Sequence, residues 1–292
     1  MRVQVVGAGA VGLLMASFYA EMGCEVTLVC RRFEQMLALR KGLSRTNLDS
    51  SIVTVPVQVS QTITSDVDLI IIAVKSGQLE DVMKQLPSNV PLLFVQNGLL
   101  QVNLVKKYNF QQVLFGSAQF GATKKDEAHV LHKGIGILKV AAHQHDLPIM
   151  KQLLSMQSQK FPVELHTNAH EMLFEKALLN CYINPLTALL EIKNGQLLTN
   201  NKANLIMRQL HAELSLAFPT TNVSYEAVEN LCKITADNTS SMLADHLAKR
   251  CSEAPAIVGA IINKALSNGQ QLPTLTTLYH LILGKEQQGG YR

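Results

Sequence analysis

Arg2-Val3-Gln4-Val5-Val6-Gly7-Ala8-Gly9-Ala10-Val11-Gly12 is the stretch whose reading decides the fold. Its first five residues are rich in β-branched valine and read as a strand, and helical spacing begins at Ala10. A G-x-G-x-x-G turn between strand and helix has a physical purpose. Gly7 permits a tight turn, Gly9 lets a pyrophosphate approach the backbone, and Gly12 lets the helix pack closely on the strand. The helix N-terminus then offers free N–H groups and the positive end of its dipole to phosphate. The expectation is a dinucleotide site at Gly7, Ala8, Gly9, Ala10, Val11 and Gly12; the alternative is a structural glycine turn.

A second strand-like run, residues 25–30, follows Gly23 and ends at Arg31-Arg32. NAD-binding versions of this turn place an acid there for the ribose hydroxyls. An arginine instead pairs with a 2′-phosphate in a bidentate fork. NADP (NADPH) is therefore expected over NAD, with Arg31, nearest the strand end, as its reader. The bland reading is a solvated basic loop.

Further strand-like segments at 68–74, 91–95 and 112–116 are separated by lengths that fit crossover helices, which predicts a parallel sheet covered on both faces. Residues 129–132 and 134–140 flank Lys133 and predict an antiparallel hairpin. Beyond about residue 163 the β signature disappears. Helices are predicted over 169–192, 201–218, 224–233, 238–250, 254–268 and 274–283, broken at Asn194-Gly195, Pro219, Asn268-Gly269 and Pro273. The chain thus reads as an α/β Rossmann-type N-terminal domain, residues 1–165, followed by an all-α domain, residues 166–292.

Composition narrows the partners. The 292 residues carry 26 basic and 22 acidic side chains, a formal charge of +4. The excess lies before residue 166, and residues 31–49 hold five basic against two acidic groups. So local a surplus suits one small anion rather than nucleic acid, which calls for a broad basic face. A hydrophobic share of 47% supplies buried cores, and no apolar run approaches the roughly 18–20 residues of a membrane span. The first residues carry no secretory pattern, and the five cysteines form no C-x-x-C pair. Reduced thiols in a cytoplasmic protein are expected.

The most informative chemistry lies in Phe174-Glu175-Lys176-Ala177-Leu178-Leu179-Asn180-Cys181-Tyr182-Ile183-Asn184-Pro185. Lys176, Asn180 and Asn184 are four apart and share one helical face in apolar surroundings. A buried ammonium or an unsatisfied amide is costly, about 1–3 kcal/mol for the amide. A snorkelling lysine with two amides bonded to neighbouring helices is the structural alternative. In the functional reading, Lys176 gives a proton to a carbonyl oxygen as hydride reaches its carbon, with its pKa lowered by desolvation. Pro185 cannot donate to the Cys181 carbonyl, which predicts a kink.

Lys75 and Asn97-Gly98 end two further strand-like runs, where open α/β sheets bind ligands. Read alone, they fit a surface lysine and an ordinary turn equally well. His166 and His170 are four apart but lack the glutamate of the zinc helix motif, so no metal is expected.

Residues 7–12, Arg31, Lys75, Gln96-Asn97-Gly98, Lys176 and Asn180 through Thr187 together resemble the ketopantoate reductase (2-dehydropantoate 2-reductase) family. Asn194-Gly195, Asp237-Asn238-Thr239-Ser240-Ser241-Met242 and the run from Gly259 to Pro273-Thr274 extend the likeness over nearly the whole chain. The resemblance implies a helical domain like that of 6-phosphogluconate dehydrogenase and NADPH-dependent reduction of 2-dehydropantoate to (R)-pantoate, in pantothenate biosynthesis. Lys176 corresponds to the proton donor. Asn97, Asn180, Asn184, Asn194 and Ser241 correspond to substrate-contacting positions. Lys75, Asn97, Ala122 and Glu253 correspond to positions beside the cofactor, Asn97 being shared with the substrate.

The sequence departs from the family pattern just after Glu253. Ala254-Pro255-Ala256-Ile257-Val258-Gly259 lacks an acid, an aromatic and an amide usual there. The expected partner is a small 2-oxoacid, with no nucleic acid or membrane; the apolar helical part is compatible with a homodimer. Two rivals remain. One is a paralogue reducing another branched 2-oxoacid. The other is a non-catalytic NADPH sensor, which would need the glycine turn but not Lys176.

Overall fold

The computed structural model describes residues 1–145 and 147–291. It divides into two compact units, Met1–Gln96 with Gln101–Met172, and Asn97–Leu100 with Leu173–Arg292.

The first unit contains strands β1 (Arg2–Val6), β2 (Glu25–Val29), β3 (Leu43–Thr46), β4 (Ile52–Val55), β5 (Gln58–Ser60) and β6 (Leu69–Ile72). After these come β7 (Leu92–Phe94), β8 (Val113–Ala118), β9 (Gly121–Asp126), β10 (His129–Gly134), β11 (Leu138–Ala142) and β12 (Val163–Leu165). The main sheet has the order β12-β11-β8-β7-β6-β1-β2-β5. From β5 to β8 every pairing is parallel; β11 runs antiparallel to β8. The order reverses between β1 and β6, and that reversal opens the ligand crevice of doubly wound sheets. All four residues of β6 are buried, as a strand covered on both faces requires.

The helix Ala10–Glu21 follows β1, and its residues 12–19 are all buried. The cover is a second sheet, β4-β3-β10-β9, packed on this helix. The predicted hairpin around Lys133 is corrected here. Lys133 lies inside β10, which pairs antiparallel with β9, while β11 belongs to the main sheet. The turn is one step earlier, where the Ala128 N–H donates to Asp126 Oδ1 at 2.9 Å. Gly134 and Gly136 then carry the chain between sheets, and a Cβ on Gly136 would stand 2.1 Å from the Gln119 oxygen.

The second unit is helical. The helix Ala169–Leu190 continues past Pro185, and Thr187 Oγ1 lies 2.8 Å from the Ile183 carbonyl oxygen. Helices Asn201–Ala217, Tyr225–Ile234 and Ser241–Leu247 are capped by the side chains of Asn200, Ser224 and Ser240. A π-helical turn, Pro255–Gly259, leads into Ala260–Ser267, and Pro273–Gln288 completes the unit. Among the described residues, no helix is long and apolar enough to cross a membrane.

Candidate active site

In the first unit, the carboxyl ends of β1, β2 and β6 meet at the glycine turn. Gly7 has φ +107°, and a Cβ there would lie 2.9 Å from the Ala73 backbone. A Cβ on Gly12 would come within 1.9 Å of the Gly7 oxygen, so only glycine allows this helix–strand approach. Gly9 differs, since a Cβ there would meet no protein atom within 4 Å. Its small size therefore answers no packing need and leaves open space beside the turn. The helix behind it has no side-chain N-cap and no acid in its first turn. Helix-start N–H groups with no side-chain cap, beside open space at Gly9, fit a phosphate group.

Arg31 is exposed just beyond β2. Arg32, next to it, donates to the Glu127 carboxylate. Lys75 is exposed at the start of the helix Ser76–Met83, after β6. Ala122 stands half-buried in β9, opposite His132. An open depression of about 700 Å³ lies at the opposite, amino ends of the strands, lined by Met1, Asp68, Pro91 and Gln112.

In the second unit, the polar face of the long helix carries partly buried Lys176 and Asn180 and fully buried Asn184. Burial brings the Lys176 ammonium down to about 8, and the Glu253 carboxylate opposes that fall. Glu253 Oε2 accepts from Asn97 Nδ2 at 3.2 Å. Lys176, Glu253 and Asn97 are thus brought together. Asn194, buried, donates through Nδ2 to Thr235 Oγ1 at 2.9 Å, while its Oδ1 has no partner among the described residues. Ser241 is exposed as the first residue of its helix; Ser240 is the buried member of the pair, 2.7 Å from Thr187 Oγ1.

The segment after Glu253 receives the turn that carries Asn97. Gly98 has φ +83°, and a Cβ there would lie 2.1 Å from the Ala256 oxygen. The same oxygen accepts from the Leu99 N–H at 3.2 Å. The Asn-Gly pair signalled a tight turn, but nothing local in the sequence signalled its docking partner.

Residues 3–145 match the family model described as ketopantoate reductase PanE/ApbA, and residues 168–286 match its C-terminal counterpart. The chain belongs to the ketopantoate reductase family. It is 36% identical over 296 aligned residues to the 2-dehydropantoate 2-reductase of Listeria monocytogenes, covering 98% of this chain and 97% of that one. Among solved structures, the probable 2-dehydropantoate 2-reductase panE of Bacillus subtilis superposes with a TM-score of 0.86 at 30% identity, over 98% and 100% of the two chains. A D-mandelate dehydrogenase bound to NADH and anilino(oxo)acetate has a TM-score of 0.90 at 20% identity over the full length of both, a likeness of fold. The family resemblance read from residues 7–12 and the Lys176 helix is borne out.

Two features beside the glycine turn escaped the sequence reading. Gln35 Nε2 donates to the Ala8 carbonyl at 2.9 Å and to the Glu127 carbonyl at 3.0 Å. Lys124 Nζ donates to Glu127 at 2.6 Å. Gln35 and Glu127 lie 92 residues apart in the chain, and no family motif flagged the contacts.

Proposed function

We propose that this member of the ketopantoate reductase family reduces 2-dehydropantoate to (R)-pantoate with NADPH, in the cytoplasm and as a step of pantothenate biosynthesis. The observation that carries the reading is Lys176, a partly buried ammonium with its pKa near 8 and the Glu253 carboxylate beside it. At neutral pH such a group is mostly protonated yet gives up its proton readily, which suits a general acid.

The glycine turn would hold the pyrophosphate, Arg31 the 2′-phosphate, and Lys75, Asn97 and Ala122 would line the rest of the cofactor. The open side of Gly9 and the uncapped helix start support that fit. NADPH, when bound, supplies the hydride. Lys176 Nζ would donate its proton to the carbonyl oxygen as the carbon is reduced, and the resulting neutral amine would regain a proton from water. Asn180, Asn184 and Asn194 would orient the substrate; the Oδ1 of buried Asn194, without a hydrogen-bond partner among the described residues, supports an acceptor role. Ser241, exposed at a helix start, would contact the carboxylate end. Glu253, bonded to Asn97, would set the charge beside Lys176. Five free cysteines support a reducing compartment.

A second reading, another branched 2-oxoacid as substrate, is favoured by the altered Ala254–Gly259 run, which forms the π-helical turn beneath the Asn97 loop. Following NADPH oxidation with 2-dehydropantoate and a panel of 2-oxoacids separates the two. Highest kcat/KM for 2-dehydropantoate supports the first, and preference for another acid supports the second. No turnover with any of them overturns both.

A further inference from the structure

Beyond β2, charged groups from two distant parts of the chain converge. Arg32 follows the strand, Lys124 stands in β9, and Glu127 occupies the turn between β9 and β10. One oxygen of Glu127 accepts from both Arg32 Nη2 and Lys124 Nζ. The Cys30 thiol, just past the end of β2, feels all three: burial pushes its pKa up, Lys124 and Arg32 pull it back, and Glu127 adds to the rise. The cluster is therefore at the strand end itself. Gln35 fixes it to the glycine turn, because its one amide nitrogen bridges the carbonyls of Ala8 and Glu127.

The charge balance there is uneven. Two cations share one carboxylate, and Arg31 adds a third cation that forms no hydrogen bond or ion pair among the described residues. Lys124 and Glu127 are set into the surface, with side chains 26% and 33% exposed, so the pair is held rather than free to wander. One carboxylate holding two cations neutralises only one of them. In doubly wound folds that strand end faces the ribose of the adenosine. A phosphate dianion arriving there would find a site of net positive charge with preformed donors.

We propose that Lys124 and Arg32 are further ligands of the adenosine 2′-phosphate beside Arg31, and that Glu127 is the positioning residue which holds them and moderates their charge. This rests on reading the chain as an NADPH-dependent reductase. Glu127 also stands where it sets the discrimination between cofactors. Its carboxylate competes with the 2′-phosphate for two cations, and it has no such competitor when the ribose carries a hydroxyl.

The test is titration of the full-length protein with NADPH and, separately, NADH, following protein or nicotinamide fluorescence. The wild type is compared with Arg31→Met, Lys124→Met, Arg32→Met and Glu127→Gln. Lys124→Met is expected to raise the Kd for NADPH about tenfold, the loss of one charge-assisted hydrogen bond, and to leave NADH binding unchanged. Arg32→Met should act in the same direction. Glu127→Gln, isosteric and neutral, should tighten NADPH a few-fold without affecting NADH. The salt dependence of NADPH binding should also flatten in Lys124→Met.

Equal losses for both cofactors would show that Lys124 only supports the hairpin, and would overturn the proposal. So would a Lys124→Met variant that keeps wild-type discrimination while Arg31→Met loses it; NADPH selectivity would then stand without this cluster. A wild type that binds NADPH and NADH equally would overturn the underlying reading as well.

Discussion

The Glu253 carboxylate accepts from the Asn97 amide at 3.2 Å and, from the same position, raises the proton affinity of Lys176 against the desolvation that lowers it. One side chain thus joins a loop residue to the proposed proton donor. A donor must be protonated to act, so turnover should fall as pH rises through the Lys176 pKa near 8. Glu253→Gln keeps an oxygen for the Asn97 amide but removes the charge. The falling limb of kcat against pH should therefore move to lower pH. An unmoved limb would show that the Glu253 charge does not act on the proton donor.

The same burial makes Lys176 a cost to the fold. Its pKa is about 8 in the folded protein against 10.5 for an ordinary lysine, so the unfolded chain binds more protons between those pH values. Below pH 8 the penalty for burying the charge is fully present; it disappears as pH rises toward 10.5. Lys176→Met should therefore abolish turnover and raise Tm by a few degrees at neutral pH, with the gap to wild type narrowing in alkaline buffer. Thermal unfolding of both proteins across pH tests this, and a destabilised Met variant would contradict it.

Two glycines should respond to alanine in opposite ways. A Cβ on Gly9 meets no protein atom within 4 Å, so Gly9→Ala should leave Tm nearly unchanged and weaken NADPH binding tenfold or more. A Cβ on Gly98 would sit 2.1 Å from the Ala256 oxygen, at a φ of +83° that alanine disfavours. Gly98→Ala should lower Tm and displace Asn97 together with the Leu99 hydrogen bond. Unfolding curves beside NADPH titrations separate the cases; a large Tm loss in Gly9→Ala would mean that glycine is structural.

This contrast marks what the sequence could reveal. The glycine turn was legible because strand, turn and helix are contiguous, and the Lys176 face because i, i+4 spacing is local. The second sheet was not, since β3 pairs with β10 across more than eighty residues and neither strand announces its partner. Lys133 looked like a turn between two apolar runs, yet it continues β10 while Asp126 makes the turn. Ser240 and Ser241 are equivalent as letters; only helix capping separates the buried one from the exposed one. The Ala254–Gly259 departure read as a loss of polar groups, whereas its backbone supplies the Ala256 oxygen that seats the Asn97 turn.

The second sheet also explains a fully buried arginine. Arg45, in β3, lies with its guanidinium 3.8 Å over the Phe18 ring of the glycine-turn helix. It donates to Asn47 Oδ1 at 2.8 Å and to Ser17 Oγ at 3.2 Å, and pairs with Glu21. The charge is tolerable because these donors are matched and because Glu21 reaches solvent. Arg45→Ala would leave a cavity against Phe18 and unpaired polar groups, at a cost of roughly 2–4 kcal/mol. Arg45→Met keeps most of the volume and should recover much of that loss. Because the helix carrying the glycine turn is what Arg45 pins, the Ala variant should also bind NADPH more weakly. Urea unfolding with cofactor titration checks both; Ala and Met variants of equal, near-wild-type stability would show that Arg45 contributes little to holding the helix.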